Sequence, residues 1–196
     1  MSQKKIAGID YSLTSPAICI YTEEEDGGYF DFDRCVLYYL SNNDKQQQLS
    51  ARCGIGNIRA ERYPDWRTEE ERHEKLATWA YSRIQGCDEV FLEGYAFATA
   101  AQAGVRSIAE NTGLLKHKMW KNKVSFKSYP PTVIKKFATG KGNANKELMY
   151  EAFVDELLTP TDLKELLTPK ATKVKNPISD LVDAYFIAKC GAEGML

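Results

Sequence analysis

Four acidic residues, Asp10, Glu93, Asp180 and Asp183, have the types and settings for phosphodiester chemistry. Asp10 closes the apolar run Lys5-Ile6-Ala7-Gly8-Ile9, and Glu93 closes Glu89-Val90-Phe91-Leu92. Asp180 and Asp183 stand three apart in Ile178-Ser179-Asp180-Leu181-Val182-Asp183-Ala184-Tyr185-Phe186, so on a helix they share a face. A carboxylate at the end of a buried strand is costly unless something compensates it. Two carboxylates about 4 Å apart repel by roughly 4 kcal/mol at an effective dielectric of about 20. Four that converge therefore require cations, protonation or wide spacing. Oxygen ligands suit Mg²⁺, and two such ions about 4 Å apart can stabilise both the attacking and the leaving oxygen of a phosphoryl displacement. Taken singly, Asp10 and Glu93 also read as turn formers, and the aspartate pair as a charge complement to a helix N-terminus. Taken together, the four predict a site for two Mg²⁺ ions, with Mn²⁺ able to substitute. Water, not a side chain, would be the nucleophile.

The elements that must position these residues can be read along the chain. Residues 4–10 are a short, bounded, apolar strand, and Ala17-Ile18-Cys19-Ile20-Tyr21 is a second. An acidic turn with Gly27-Gly28 leads by a hairpin to a third, from about Tyr29 to Leu40. Residues 41–67 are polar and carry Gly54, Gly56 and Pro64, which predicts a long loop. Thr68 with Glu71 forms a capping box, and the helix it opens stops at Gly86. Strand four is 88–93, followed by an Ala-rich helix over about 99–121 and a fifth strand from Lys123 to Tyr129. Pro131 starts a short helix, and Asn143 or Asn145 caps another over about 145–158. Residues 159–176 predict a second long loop with at most a short helix, and Pro177 begins the last helix, through about Lys189. This order predicts an α/β sheet with strand four beside strand one and helices on both faces, so that Asp10 and Glu93 end side by side.

Composition narrows the partners. A chain of 196 residues, 43% hydrophobic and 27% charged, predicts one globular domain over 1–196. No apolar run is long enough to span a membrane and the N-terminus leads straight into a strand, so neither a membrane anchor nor a signal peptide is expected. Five scattered cysteines without a C-x-x-C predict reduced thiols and a cytoplasmic setting, the host's cytoplasm if the protein is viral. The net charge of −1 hides an asymmetry: from Asn111 to Lys146 there is no acidic residue but there are nine lysines, including Lys116, Lys118, Lys135, Lys136, Lys141 and Lys146. A local basic surface on a neutral protein suits phosphate-backbone binding. His73 and His117 lack metal-ligand spacing and are expected at the surface; Trp66, Trp79 and Trp120 are expected in the core or an interface. No G-x-x-x-x-G-K-[ST] occurs, so no nucleotide cofactor is expected.

Four motifs in order resemble the RuvC-type Holliday junction resolvases of the ribonuclease H-like superfamily. They are Ile6-Ala7-Gly8-Ile9-Asp10, then Phe91-Leu92-Glu93, then Ser128-Tyr129-Pro130-Pro131-Thr132-Val133-Ile134-Lys135-Lys136 with Gly140-Lys141-Gly142-Asn143-Ala144-Asn145-Lys146, and finally Asp180-Leu181-Val182-Asp183-Ala184. The resemblance covers about residues 4–22 and 88–190. It implies a five-stranded mixed sheet of order 3-2-1-4-5, with Asp10, Glu93, Asp180 and Asp183 as metal ligands and Lys146 as a phosphate-binding or catalytic lysine. It implies that Gly140 and Gly142 let the backbone pass close to DNA. Bacterial members carry Pro-Gly after the first aspartate and an aromatic wedge three residues after the glutamate. Here Tyr11-Ser12 and Ala96 stand in those places, with Tyr95 and Phe97 flanking the latter, differences that point to a phage or viral branch. Tyr95 or Phe97 would stack on a junction base, a contact worth about 1–3 kcal/mol.

The expected activity is a Mg²⁺-dependent endodeoxyribonuclease that resolves four-way DNA junctions in recombination or repair. The alternatives are a debranching nuclease for flaps and Y-forks, and a non-catalytic ribonuclease H-like module. Lys116, Lys118, Lys135, Lys136, Lys141 and Asn143 would hold the DNA arms, mostly without reading sequence. Paired cuts on a symmetric junction require two active sites, so a C2 homodimer is expected, with an interface around the helix 99–121.

Overall fold

The computed structural model describes residues 3–25, 28–44, 47, 57–94, 103–157 and 162–194. A mixed sheet runs in the order β4-β3-β2-β1-β5-β6. Its strands are β1 (Lys5–Asp10), β2 (Ala17–Thr22), β3 (Cys35–Ser41), β4 (Ile58–Arg62), β5 (Glu89–Glu93) and β6 (Phe126–Tyr129). β1 and β3 each pair antiparallel with β2, so β1 and β3 run the same way, and β5 and β6 run parallel to β1. The helices are α1 (Glu69–Ile84), α2 (Ala103–Lys121), α3 (Pro131–Thr139), α4 (Lys146–Glu156), α5 (Leu163–Leu167) and α6 (Ile178–Ala192).

Five of these strands follow the order 3-2-1-4-5 expected from the sequence. The sixth corrects it: β4 lies inside the 41–67 stretch read as a loop, and pairs parallel with β3 at the sheet edge. Only Ile58 of this strand is buried, and Arg59, Glu61 and Arg62 mask the alternation that marks a strand. The third strand is also shorter than expected, because Phe32–Arg34 form a single 3-10 turn ahead of Cys35. Pairing of Cys35 with Tyr21 and of Ala17 with Tyr39 fixes its register.

Each face of the sheet carries its own core. On one, Ala7, Ile9, Tyr11, Val90 and Leu92 pack with Leu76, Ala77, Ala80 and Ile84 of α1 and Leu115 and Met119 of α2. On the other, Ile6, Cys19, Leu37 and Phe91 pack with Leu181, Tyr185, Phe186 and Ile187 of α6 and Met149 and Phe153 of α4. Burial of each such large side chain contributes about 1.5–3 kcal/mol. Tyr185 donates to Glu156 Oε2 at 2.9 Å and Lys189 Nζ to Glu156 Oε1 at 2.6 Å, which ties the end of α4 to α6.

His73 is a correction. It is 6% exposed, with Nε2 at 3.2 Å from Ser107 Oγ, because α2 packs across α1 there. His117 is exposed as expected. Trp79 is half-buried and donates to Glu61 at 2.7 Å, whereas Trp66 (42%) and Trp120 (70%) face outward. Cys19, Cys35, Cys87 and Cys190 are free thiols. Among the described residues no helix is long and apolar enough to cross a membrane.

α6 lies directly on β1 because Gly8 has no side chain. A Cβ there would collide with the backbone of Ala184 and Ala188, and one at Gly191 would enter the Phe91 ring. Gly8→Ala should therefore lower the unfolding free energy by about 1–3 kcal/mol. Gly113→Ala on α2, where nothing lies within 4 Å of the added methyl, should instead raise it by up to about 1 kcal/mol. Urea denaturation of the two variants checks both signs, and equal stability of Gly8→Ala and the parent would refute the close contact.

Candidate metal and phosphate site

The site is set by register. Ile9 pairs with Leu92 across the parallel β1–β5 ladder, so Asp10 and Glu93 follow side by side at the carboxyl ends of adjacent strands. Gly8 faces α6, and Asp10, two residues on, faces the same way. Along α6, Asp180, Ala184 and Ala188 form one stripe with a spacing of four. Two strand residues advance about 6.6 Å and four helix residues about 6 Å. With Ala184 and Ala188 over Gly8, Asp180 falls over Asp10. Asp183 begins a second stripe that continues to Ile187 and Gly191, over β5.

The four acids meet electrostatically. Burial pushes the Asp10 carboxyl well above its usual range, and the charges of Asp180, Asp183 and Glu93 add to this against Lys146. Asp183 is pushed up to about 7, by burial first and then by Glu93 and Asp180, with Lys135 and Lys146 opposing. Burial also raises Glu93, against Lys135. Asp180 is 6% exposed and is raised by burial, offset in part by Ser15, Lys146, Ser179 and Asp10.

One oxygen stands out. Asp180 Oδ1 accepts from Ser179 Oγ at 3.3 Å, while its buried Oδ2 has no partner at hydrogen-bond geometry, although Ser15 and Asp10 lie near enough to moderate the charge. An orphaned buried carboxylate oxygen among raised carboxylates suits a cation, and an all-oxygen donor set suits Mg²⁺ or Mn²⁺ over softer ions. Among the described residues no group of three or more acidic, histidine or cysteine side chains stands close enough to hold a metal ion as the side chains are placed. Ions that retain several waters need fewer direct protein ligands.

Lys146 opens α4, whose N-cap Asn145 accepts from Leu148 N–H at 2.9 Å. Its Nζ donates to Ser179 Oγ at 3.1 Å and reaches Asn176 Oδ1 at 3.4 Å, and Ser179 Oγ lies 2.7 Å from that same Asn176 oxygen. Ser179, one residue before Asp180 and 3% exposed, thus joins the lysine to the acid. A cleft of 410 Å³ opens beside them, lined by Glu93, Lys135, Asn145, Lys146, Ser179 and Asp183 among others. The loop after Asp10 is held from the far side of the sheet. Arg72 Nη2 donates to Leu13 O at 2.8 Å, Tyr63 also donates to Leu13 O, and Arg72 Nε donates to the Tyr63 hydroxyl at 3.0 Å.

The lysine-rich stretch divides. Lys135 lines the cleft, nearer the acids than a backbone-holding role implies, and Lys136, Lys141 and Asn143 are exposed on α3 and the turn before α4. That turn begins with Gly140, at φ 74, whose N–H bonds Lys136 O and ends α3. Lys118 pairs with Glu74 at 2.7 Å and Thr78 at 2.6 Å, joining α2 to α1. Lys116 is half-buried on the same half of α2, which leads to the start of β6 and so toward the end of the sheet opposite the acids. Tyr95 and Phe97 lie outside the described residues. Sequence reasoning missed Ser15, Ser179 and Asn176. The only hint was a hydroxyl beside Asp180 and a polar residue ahead of Pro177.

Between about pH 4 and pH 7 the folded chain holds a proton on Asp183 that the unfolded chain has released, so this group costs stability as pH rises through that window. In EDTA at about pH 8, Asp183→Asn should be more stable than the parent by at least about 1.4 kcal/mol, one pKa unit. Mg²⁺ should then stabilise the parent more than the variant. Thermal melts across pH check this, and a variant less stable than the parent in EDTA would contradict it.

No family model matches the sequence, and no curated protein matches it. Solved structures do. The chain is similar to Thermus thermophilus RuvC, with a TM-score of 0.58 at 15% identity over 97% of this chain and 96% of that one. It is similar to the yeast mitochondrial Holliday junction resolvase, with a TM-score of 0.55 at 12% identity over 100% and 85% of the two chains. It is also similar to the fowlpox virus resolvase solved with substrate Holliday junction DNA, with a TM-score of 0.54 at 14% identity over 98% and 99%. Bacterial, mitochondrial and viral structures match almost equally, so the similarity does not single out the expected viral branch. The fold of this chain is the ribonuclease H-like fold of the RuvC-type resolvases.

Proposed function

We propose that the protein is a divalent-metal-dependent endodeoxyribonuclease that cuts four-way DNA junctions. The observation that carries this reading is the convergence of Asp10, Glu93, Asp180 and Asp183 at one rim of the sheet, with Lys135 and Lys146 beside them. It is supported by a fold shared with RuvC and the fowlpox resolvase, both solved on Holliday junction DNA.

Asp10, Glu93, Asp180 and Asp183 would hold two Mg²⁺ ions, which supply charge stabilisation for the attacking and leaving oxygens of phosphoryl transfer. Lys146, exposed and tethered by Ser179, would bind a phosphate oxygen at the cleft, and Lys135 would screen Glu93 and Asp183. Lys136, Lys141 and Asn143 would hold the adjoining backbone by charge and hydrogen bonding. Two symmetric cuts require two copies of this site, so the working form would be a C2 dimer. The outer face of α2, where Ile108 is exposed, would contribute to the interface.

Asp10→Asn should lower Mg²⁺-dependent cleavage of a labelled four-way junction by at least about 10²–10³-fold, and Lys146→Ala by about 10²-fold. Both variants should keep the parent's circular dichroism. Flap and Y-fork substrates should be cut more slowly than the four-way junction. Equal rates on all three would replace junction resolution with general debranching, and undiminished cutting by Asp10→Asn would remove the site.

A further inference from the structure

The start of α6 turns its polar side chains away from the helix. Pro177 stands at the cap position and makes no side-chain cap, although Asn176 and Ser179 flank it with groups that often serve as one. Both face Lys146, the first residue of α4. The Lys146 ammonium lies 3.1 Å from Ser179 Oγ and 3.4 Å from Asn176 Oδ1. Ser179 Oγ lies 2.7 Å from that Asn176 oxygen and 3.3 Å from Asp180 Oδ1. Among the described residues Lys146 makes no ion pair with any of the four acids, although its charge acts on Asp10, Asp180 and Asp183.

The protons of this triangle can be assigned one by one. An ammonium only donates, so Ser179 Oγ and Asn176 Oδ1 both accept from Lys146, which sets the Asn176 carboxamide with its oxygen toward the lysine. A serine hydroxyl has a single proton to give. Asn176 Oδ1, at 2.7 Å, stands at the usual O–H···O distance, and Asp180 Oδ1, at 3.3 Å, stands beyond it. Donation therefore runs from Lys146 to Ser179 to Asn176 and ends there. Asp180 Oδ1 keeps only the long contact, and its Oδ2 has no partner at hydrogen-bond geometry. Ser179 is 3% exposed, so packing and not water holds this spacing.

We infer that Asn176 and Ser179 are positioning residues that hold Lys146 one hydroxyl away from Asp180, keeping the ammonium open to a phosphate oxygen and the carboxylate open to a cation. This rests on the nuclease reading above. An ammonium and a carboxylate at one rim attract each other, and direct contact would occupy both. A neutral hydroxyl that accepts from the lysine and donates to an amide prevents that contact without adding charge.

The test uses the full-length protein and two readouts. The first needs no DNA: thermal melts over a Mg²⁺ titration give the concentration of half-maximal stabilisation. Ser179→Ala should raise that concentration about tenfold, as Lys146 closes on Asp180 and competes with the cation. In a Lys146→Ala background the same substitution should change it by less than about twofold, since no ammonium remains to close. The second readout is cleavage of the four-way junction. Ser179→Ala should slow it about tenfold, and adding Ser179→Ala to Lys146→Ala should slow it no further. Asn176→Ala, at an exposed position, should raise the Mg²⁺ midpoint about threefold and serves as the deciding variant if Ser179→Ala does not fold. A midpoint unchanged in both variants, or an equal shift from Ser179→Ala with and without Lys146, overturns the positioning role while leaving the nuclease intact. Failure of the parent to cut any branched DNA removes the nuclease reading itself, and this assignment with it.

Discussion

The contact between Gly8 and the backbone of α6 governs the architecture of the site. With no side chain at position 8, the helix settles on β1 at Ala184 and Ala188. Helix and strand then advance almost in step, about 6 Å for four helical residues and about 6.6 Å for two in a strand. One step beyond the glycine, an aspartate on β1 meets an aspartate on α6. The neighbouring stripe of α6 does the same over β5, where Gly191 accepts the Phe91 ring and Asp183 stands toward Glu93. Four acids from three segments distant in sequence are gathered by two glycine contacts and one parallel ladder.

That gathering works against folding. The carboxyls of Asp10, Glu93, Asp180 and Asp183 are all pushed upward, and burial leads the causes in every case. The cores on both faces of the sheet must hold the cluster together against this. Lys135 and Lys146 relieve part of the charge, and Asp180 Oδ2 remains unsatisfied. A group that binds only the folded form and removes such a cost stabilises it by mass action. The charge strain is one that a bound cation would relieve.

The acids were legible in the sequence because each sits at the end of an unambiguous apolar run or on a helix with i,i+3 spacing. β4 was not legible, since an edge strand with one buried residue lacks the alternation of a half-buried one. His73 looked like a surface residue because α2 covers it from more than 30 positions away. The lysine stretch read as one surface, but a helix that runs the length of the sheet carries Lys116 and Lys118 away from the acids, and only Lys135 onward returns to them. Ser15 and Ser179 acquire meaning only when two loops and a helix start meet at Asp180, an arrangement that no local pattern encodes.

The rim of the sheet is chemically polarised about Asp10. On the β5 side the cleft offers Lys135 and Lys146, groups that attract any phosphate and distinguish none. On the β3 side a larger cavity of 680 Å³ carries the hydroxyls of Thr14, Ser15 and Ser41, the amides of Asn42, Asn43 and Asn176 and the Asp44 carboxylate, over Leu40 and Pro177. The acidic cluster is the boundary, because Asp180 is touched from one side by Lys146 through Ser179 and approached from the other by Ser15.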